Sequence, residues 1–323
     1  MPTIEIHAFE PEHVDDAARL LADRQRAQRT REPGLDPAFE DPAATRQEIE
    51  ALLAADGVSG TVAVRGGSVV GYLLGVRRDD ATWGPNVWVE GAGHAVADPQ
   101  VVRDLYAIAA GRWVEEGRTN HHAIVPATEP ALVDAWFSLD FGQQHVHAIR
   151  ESPAPAFDPT VPDAITIRTA TRSDIPAMAA IDVILPRHQS LSPVFSRLPV
   201  PTVEDAIVDL EADFDDTRYV TFVAEHDGRL VGTAVGCSIE LSSMHGGITR
   251  PPSAGFLGFA AVLPDARGLG AGRALGETVL AWSRDAGYAS VVTDWRSTNL
   301  QASRAWPALG FRPTFRRVHR SVA

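Results

Sequence analysis

The residues best placed to do chemistry here are glycines. Between two arginines the chain reads Arg267-Gly268-Leu269-Gly270-Ala271-Gly272-Arg273, and an apolar run from Gly255 to Val262 leads into it. Glycines at alternate positions remove the Cβ atoms that would stop a backbone from wrapping an anion, and the free amides of a helix start point at the same spot. Leu275, Val279 and Trp282 then recur at one-turn spacing, and Gly287 stands where a helix would stop. The pattern predicts a strand, a phosphate-holding turn and a helix in succession. A merely flexible connection, the ordinary meaning of clustered glycines, would need neither flanking element.

Spacing separates the known kinds of phosphate loop. A Walker-type loop needs Lys-Ser/Thr after its last glycine, and this chain has Arg273-Ala274. A dinucleotide fingerprint needs a third glycine three residues after the second, where Arg273 stands, and no βαβ continuation follows. What remains is Arg-x-x-Gly-x-Gly, Arg267 to Gly272, preceded by Val262 and Pro264 in a Val-x-Pro pattern. This resembles the acetyl-CoA loop of the GNAT N-acetyltransferase family. A later stretch, Asn299-Leu-Gln-Ala302-Ser303-Arg-Ala-Trp306-Pro-Ala-Leu-Gly310-Phe311, is similar to that family's Asn-x-x-Ala-x-x-x-Tyr-x-x-x-Gly-Phe motif.

The resemblance implies acetyl-CoA as cosubstrate and direct transfer of its acetyl group to an amine. It implies cofactor contacts from Val262, Arg267, Gly268, Leu269, Gly270, Ala271, Gly272, Arg273, Asn299, Ser303 and Trp306. Arg267 reads equally as a solvated loop charge, and Arg273 as a helix-surface residue. The sequence departs from the family at Trp306, where the tyrosine that serves as acid belongs; an indole N–H donates a hydrogen bond but delivers no proton at neutral pH. Trp306 packs either on the cofactor or in the core, and Trp136 at the equivalent place in the first half favours the core. The strand Gly255 to Val262 also lacks the carboxylate many members carry. Asp294 is the nearest alternative base by position, though a strand-end carboxylate has structural uses too, with Glu240 and His245 as further candidates. A non-catalytic acyl-CoA-binding protein stays open beside the enzyme.

The elements that must position these residues come in two sets. Ser152 to Asp163 holds Pro153, Pro155, Pro159 and Pro162, the composition of a semi-rigid linker. On either side the chain repeats itself: Ile4-Glu-Ile-His against Ile165-Thr-Ile-Arg, Val70-Gly71 to Gly75 against Val231-Gly232 to Gly236, and Ala135-Trp136 to Phe141 against Ala305-Trp306 to Phe311. The expectation is α/β architecture in two tandem GNAT-like domains, each a mixed sheet flanked by helices: 1–151, a 152–163 linker, and 164–323. Opposite the glycine loop the first half has Ala95 to Tyr106 without a glycine, and Glu129 replaces Asn299. The first domain therefore reads as a degenerate copy, and acetyl-CoA binding is expected in the second alone.

Composition narrows the partners. A net charge of −13 over 323 residues disfavours nucleic acid. The start shows no basic segment followed by an apolar run, and no stretch approaches a membrane span. Cys237, the sole cysteine, lies in an apolar strand and reads as a structural thiol, which together point to a cytoplasmic protein without disulfides. No histidine spacing suits a metal; His121-His122 suits opposite faces of a strand. The partners expected are a small-molecule amine and, as an open matter, a second copy in a homodimer. Leu191 to Pro201 reads as irregular structure that either walls the acceptor site or forms an ordinary surface loop.

Overall fold

In the computed structural model, which describes residues 3–322, the chain runs twice through one order of elements. The first pass is β1 (Ile4–Ala8), α1 (Val14–Arg31), α2 (Pro42–Leu53), β2 (Val58–Arg65), β3 (Ser68–Asp80), β4 (Gly84–Val89), β5 (His94–Val96), α3 (Val101–Glu115), β6 (Asn120–Pro126), α4 (Pro130–Phe137) and β7 (Gly142–Glu151). The second is β8 (Thr166–Thr169), α5 (Ile175–Asp182), α6 (Ile184–Ser190), α7 (Val203–Asp213), β9 (Tyr219–His226), β10 (Arg229–Ser238), β11 (Ala254–Val262), α8 (Ala271–Asp285), β12 (Ser290–Arg296), α9 (Ala302–Ala308) and β13 (Arg312–Ser321). Each pass is a strand, helices, an antiparallel meander, a helix, a strand, a helix and a closing strand.

The compact units do not divide at the proline-rich segment. One contains residues 3–147, 246–251 and 313–322; the other contains 148–245 and 252–312. The closing strand of the second half, β13, thus belongs to the first unit from residue 313 onward, while β7 passes from one unit to the other after residue 147. A terminal strand held only by a short connection has unpaired backbone on both sides, and it can complete whichever sheet offers a matching edge.

In the first unit the strands run β1-β2-β3-β4-β6-β13, with β5 paired to β3. The β2–β3 hairpin turns at Gly66-Gly67, both at positive φ (58° and 81°), as a tight two-residue connection requires. β4 and β6 are parallel, from Asn86 opposite Asn120 to Val89 opposite Ala123, and β13 pairs antiparallel with β6 from Phe315 opposite Pro126 to Ser321 opposite Asn120. Helices cover both faces. Leu21, Ile49, Tyr72 and Leu74 make one core with α1 and α2; Leu105, Tyr106, Trp113 and Trp136 make the other with α3 and α4.

In the second unit β8 to β12 follow in the order β8-β9-β10-β11-β12, and β7, whose residues 148–151 belong to this unit, lies beside β12. The β9–β10 hairpin turns at Asp227-Gly228, again with positive φ (50° and 73°). β12 is the buried parallel strand, and its Ser290 to Thr293 are buried on both faces. Helix α8 presses on one face so closely that a Cβ on Gly236 would lie 2.9 Å from Trp282, and one on Gly255 would lie 2.2 Å from Ser283 Oγ. Helices α5 and α7 cover the other face, meeting through Ala179, Val183 and Ala206. Residues 152–163 run along α8: the Arg284 guanidinium donates to the Phe157 carbonyl at 2.6 Å, and the Thr160 amide donates to Glu277 Oε2 at 2.7 Å.

Candidate active site

The site grows from β11. Its parallel pairing with β12 covers only Ala254 opposite Ser290 through Leu257 opposite Thr293, while its antiparallel pairing with β10 continues to Val262. The register against β10 jumps between Val235 and Gly236, so Gly258 is bulged out. Strands β11 and β12 therefore fork after Leu257 and Thr293, leaving backbone groups of 258–262 on the β12 side without a ladder partner.

Past the fork the Leu263 amide donates to the Val231 carbonyl, a turn follows at Pro264–Ala266, and the glycine loop begins. Gly268 and Gly270 both take left-handed backbone (φ 86° and 85°), and Gly270 is the N-cap of α8. The Ala274 amide makes the bond back to Gly270, at 3.0 Å, so the amides of Ala271, Gly272 and Arg273 point out of the helix start. A Cβ on Gly268 would meet nothing, and the cradle is open there. A Cβ on Gly270 would lie 2.8 Å from Pro162 Cγ, so glycine at 270 is required by backbone and packing as well as by any ligand. Gly272 has neither constraint: its φ is ordinary, and a Cβ would stand 3.4 Å from Val262 Cγ2. The cradle suits a pyrophosphate, with Val262 and Leu269 half-buried along it and Arg267 exposed at its lip.

The other expected cofactor residues divide. Arg273 turns back to Glu277, Nε to Oε1 2.7 Å. Asn299, buried, uses Oδ1 to accept the amides of Gln301 (3.1 Å) and Ala302 (3.2 Å), and so caps the start of α9; Ser303 Oγ donates to the Ser297 carbonyl at 3.1 Å. Trp306 is half-buried, its ring 6.1 Å from Phe311, whereas Trp136 is fully buried among Phe141 (4.8 Å), His94 (5.6 Å) and Tyr106 (5.9 Å). The two tryptophans are not equivalent, and the core role read from Trp136 does not carry over.

Asp294 follows Thr293, the last residue paired to β11, and so stands at the fork. Thr293 shares the face of its partner Leu257 and of Gly236, which meets α8, so alternation turns Asp294 to the face away from α8. Phe256 and Arg296 share that face, and Arg296 reaches α6 through Gln189 Oε1 at 3.3 Å. His245 is buried beside it, ring centroids 5.4 Å from Phe256 and Nδ1 2.8 Å from Ser242 Oγ. Glu240 lies exposed on a short 3-10 turn.

Sequence reasoning missed Asp182. At the end of α5 it faces Thr233 on β10, whose hydroxyl donates at 3.4 Å, and burial pushes its carboxyl up to about 6. The readable signal was a carboxylate closing the apolar helix Ile175–Asp182. On the same face a cavity of about 270 Å3 opens between α5, α7 and β9–β10, lined by Met178, Leu210, Phe214, Tyr219 and Val235, with Asp213 also on its wall. Val235 is paired with Phe259 next to the bulge. The Cys237 thiol is buried and pushed up to about 11 by desolvation, which suits a structural residue. Among the described residues no cluster of His, Cys, Asp or Glu could hold a metal ion, and no helix is long and apolar enough to cross a membrane.

The first unit treats the matching places differently. At the start of α3, Asp98 Oδ1 accepts the Gln100 amide at 3.0 Å, and the amides of Val101, Val102 and Arg103 bond to carbonyls of their own turn. Those donors are used, and a carboxylate stands where an anion would come. Beyond β4, the carbonyls of Gly91 and His94 accept the buried Arg24 guanidinium, and His94 Nε2 lies 3.0 Å from the Ile124 carbonyl on β6. Burial holds the Arg24 guanidinium below its usual pKa and the His94 imidazole down to about 3. Glu129 caps nothing with its side chain, and burial raises its carboxyl.

Residues 188–311 match the Acetyltransferase (GNAT) family. Aminoglycoside N(6')-acetyltransferase type 1 of Stenotrophomonas maltophilia is 33% identical over 161 residues, 49% of this chain and 94% of that protein. The chain belongs to the GNAT acetyltransferase family. A GCN5-related N-acetyltransferase from Sphaerobacter thermophilus shares the fold at a TM-score of 0.57 and 16% identity, over 98% of this chain and 94% of that one. The glucosamine N-acetyltransferase region of a fungal multi-domain β-N-acetylglucosaminidase aligns at a TM-score of 0.52 and 14% identity, over 99% of this chain and 38% of that one.

Proposed function

We propose that the second half of the chain, 164–323, binds one acetyl-CoA and passes its acetyl group to an amine of a small molecule, and that the first half, 1–151, binds none. The carrying observation is the run from the β11–β12 fork into the amide cradle of Gly268 to Arg273. When bound, acetyl-CoA supplies the acetyl group as a thioester. The amides of Ala271, Gly272 and Arg273 hold the pyrophosphate, and unpaired backbone N–H groups of the fork stabilise negative charge developing on the acyl oxygen. Asp294 takes the proton of the incoming ammonium, directly or through water. Trp306 would pack beside the cofactor, and its indole N–H could donate a hydrogen bond but no proton, so a departing thiolate would be protonated by solvent. The cavity lined by Met178, Leu210 and Phe214, with Asp213 and Asp216 also on its wall, receives the acceptor, and the chain's net charge of −13 favours cationic acceptors, aminoglycosides among them.

A second reading, an acyl-CoA-binding protein without turnover, is favoured by the departure at Trp306. Free-thiol release from acetyl-CoA across a panel of amines, with calorimetry on the same protein, decides between them. The enzyme gives one binding site per chain and amine-dependent thiol release. Binding without release supports the second reading, and two equivalent sites per chain overturn the assignment of the first half. In an active protein, Trp306→Phe is expected to move the KM for acetyl-CoA and leave the basic limb of the rate profile in place; loss of that limb makes Trp306 a participant in proton transfer.

A further inference from the structure

The segment 157–163 does more than join the two halves. It is fixed to α8 at Arg284, whose guanidinium meets the Phe157 carbonyl, and again at Glu277, whose Oε2 accepts the Thr160 amide at 2.7 Å. Two residues further on, Pro162 holds its ring against Gly270, the N-cap of α8, with Cγ 2.8 Å from where a Cβ on that glycine would stand. The chain then turns away through the Ile165 amide, bonded to the Pro162 carbonyl at 2.8 Å. Glu277 is buried, and its other oxygen takes Arg273. Burial by itself raises this carboxyl; the Thr160 amide and the Arg273 guanidinium outweigh it and hold the group ionised, below its ordinary pKa. One buried carboxylate therefore ties the proline strap to the third residue of the helix whose amides form the cradle.

We infer that Glu277 is a positioning residue for the cofactor loop: it clamps the 157–163 strap so that Pro162 backs Gly270 and keeps the cradle in its anion-ready shape. The inference rests on the cofactor reading above. A backbone held at left-handed φ by packing loses less freedom on binding than one ordered by the ligand, so the strap acts on affinity for the pyrophosphate rather than on the chemical step. Proline suits the part, because its ring fixes the backbone φ and its missing N–H leaves no donor to satisfy at the wall.

The test uses the whole chain. In wild-type protein, hydrogen exchange at the Thr160 amide is compared with and without saturating CoA; the inference expects CoA to slow it by roughly tenfold or more, since opening the strap and losing the ligand become linked. Pro162→Ala keeps the existing backbone bonds and leaves Glu277 with both partners, while it removes the ring and adds one backbone N–H at the wall. It is expected to raise the KM for acetyl-CoA about fivefold, with kcat and the amine KM unchanged and melting within a degree or two of wild type. Glu277→Ala combined with Pro162→Ala is expected to raise that KM no further than Glu277→Ala alone, because both act through one clamp. Thr160 exchange indifferent to bound CoA, or an unchanged acetyl-CoA KM in Pro162→Ala, overturns the inference while leaving the cofactor site standing. A wild-type protein that binds no CoA overturns both.

Discussion

Gly272→Asp separates the anion cradle from the fold it is built on. Gly272 is the second residue of α8, exposed, with ordinary φ, and a Cβ there meets only Val262 Cγ2 at 3.4 Å. Nothing in the backbone resists a side chain. A carboxylate at that helix position favours the helix dipole by about 0.3–1 kcal/mol, and replacing glycine inside a helix adds up to roughly 1 kcal/mol. The folded variant should melt no lower than wild type. The same carboxylate stands among the amides of Ala271 to Arg273, where the proposed site puts the pyrophosphate. At about 4 Å and an effective dielectric of about 20, one pair of like charges costs about 4 kcal/mol, which salt reduces to about 2–4 kcal/mol. That is a loss in CoA affinity of roughly 30- to 1,000-fold. Gly272→Ala adds the same Cβ without the charge and should lose less than about tenfold. Calorimetry with CoA, paired with thermal melts, reads both halves. Gly272→Asp protein that is folded and binds CoA like wild type would refute the placement of the phosphate. Gly270 is the poorer probe, since its φ of 85° and Pro162 at 2.8 Å make any side chain there disturb the fold as well as the ligand.

Asp294→Asn retains the shape of the fork and removes the basic oxygen; acetyl-CoA binding should hold while kcat/KM for the amine falls by roughly 10²-fold or more, and near-wild-type turnover would move the base to Asp182, His245 or Glu240. Asp182 gives a stability signature of its own. Its folded pKa, about 6, lies above the unfolded value near 3.8, so the folded state keeps a proton that the unfolded state gives up, and wild-type stability should fall as pH rises from about 4 through about 6. In urea titrations Asp182→Asn should lack that fall and exceed wild type at pH 7.5, with the gap closing toward pH 4; parallel pH profiles for the two proteins would place Asp182 in solvent.

Much of the site lay within short stretches of chain, and those were legible. Strand, glycine turn and helix from Gly255 to Gly287 follow from local rules: apolar runs, left-handed glycines and helical spacing act over a few residues and leave their mark in order. The doubled order of elements was legible for the same reason. A glycine inside a strand signals a bulge by a local rule too, so Gly258 carried readable information about the fork.

What long-range packing decides could not be read this way. The closing strand β13 joins the first unit because it matches the edge of β6, a pairing between residues nearly two hundred positions apart that no local pattern records. Asp98 and Arg24 use up the donors and carbonyls of the first unit with side chains whose partners only folding brings near. Trp136 and Trp306 occupy like positions in the repeat yet differ in exposure, because ring neighbours rather than position in the motif fix burial. The sequence determined by itself the strand, the left-handed glycine turn and the helix start with its open amides, since these need only local backbone freedom and helical spacing. Tertiary structure decided which half keeps those amides open and what backs the loop, because both depend on charges and rings supplied by distant segments.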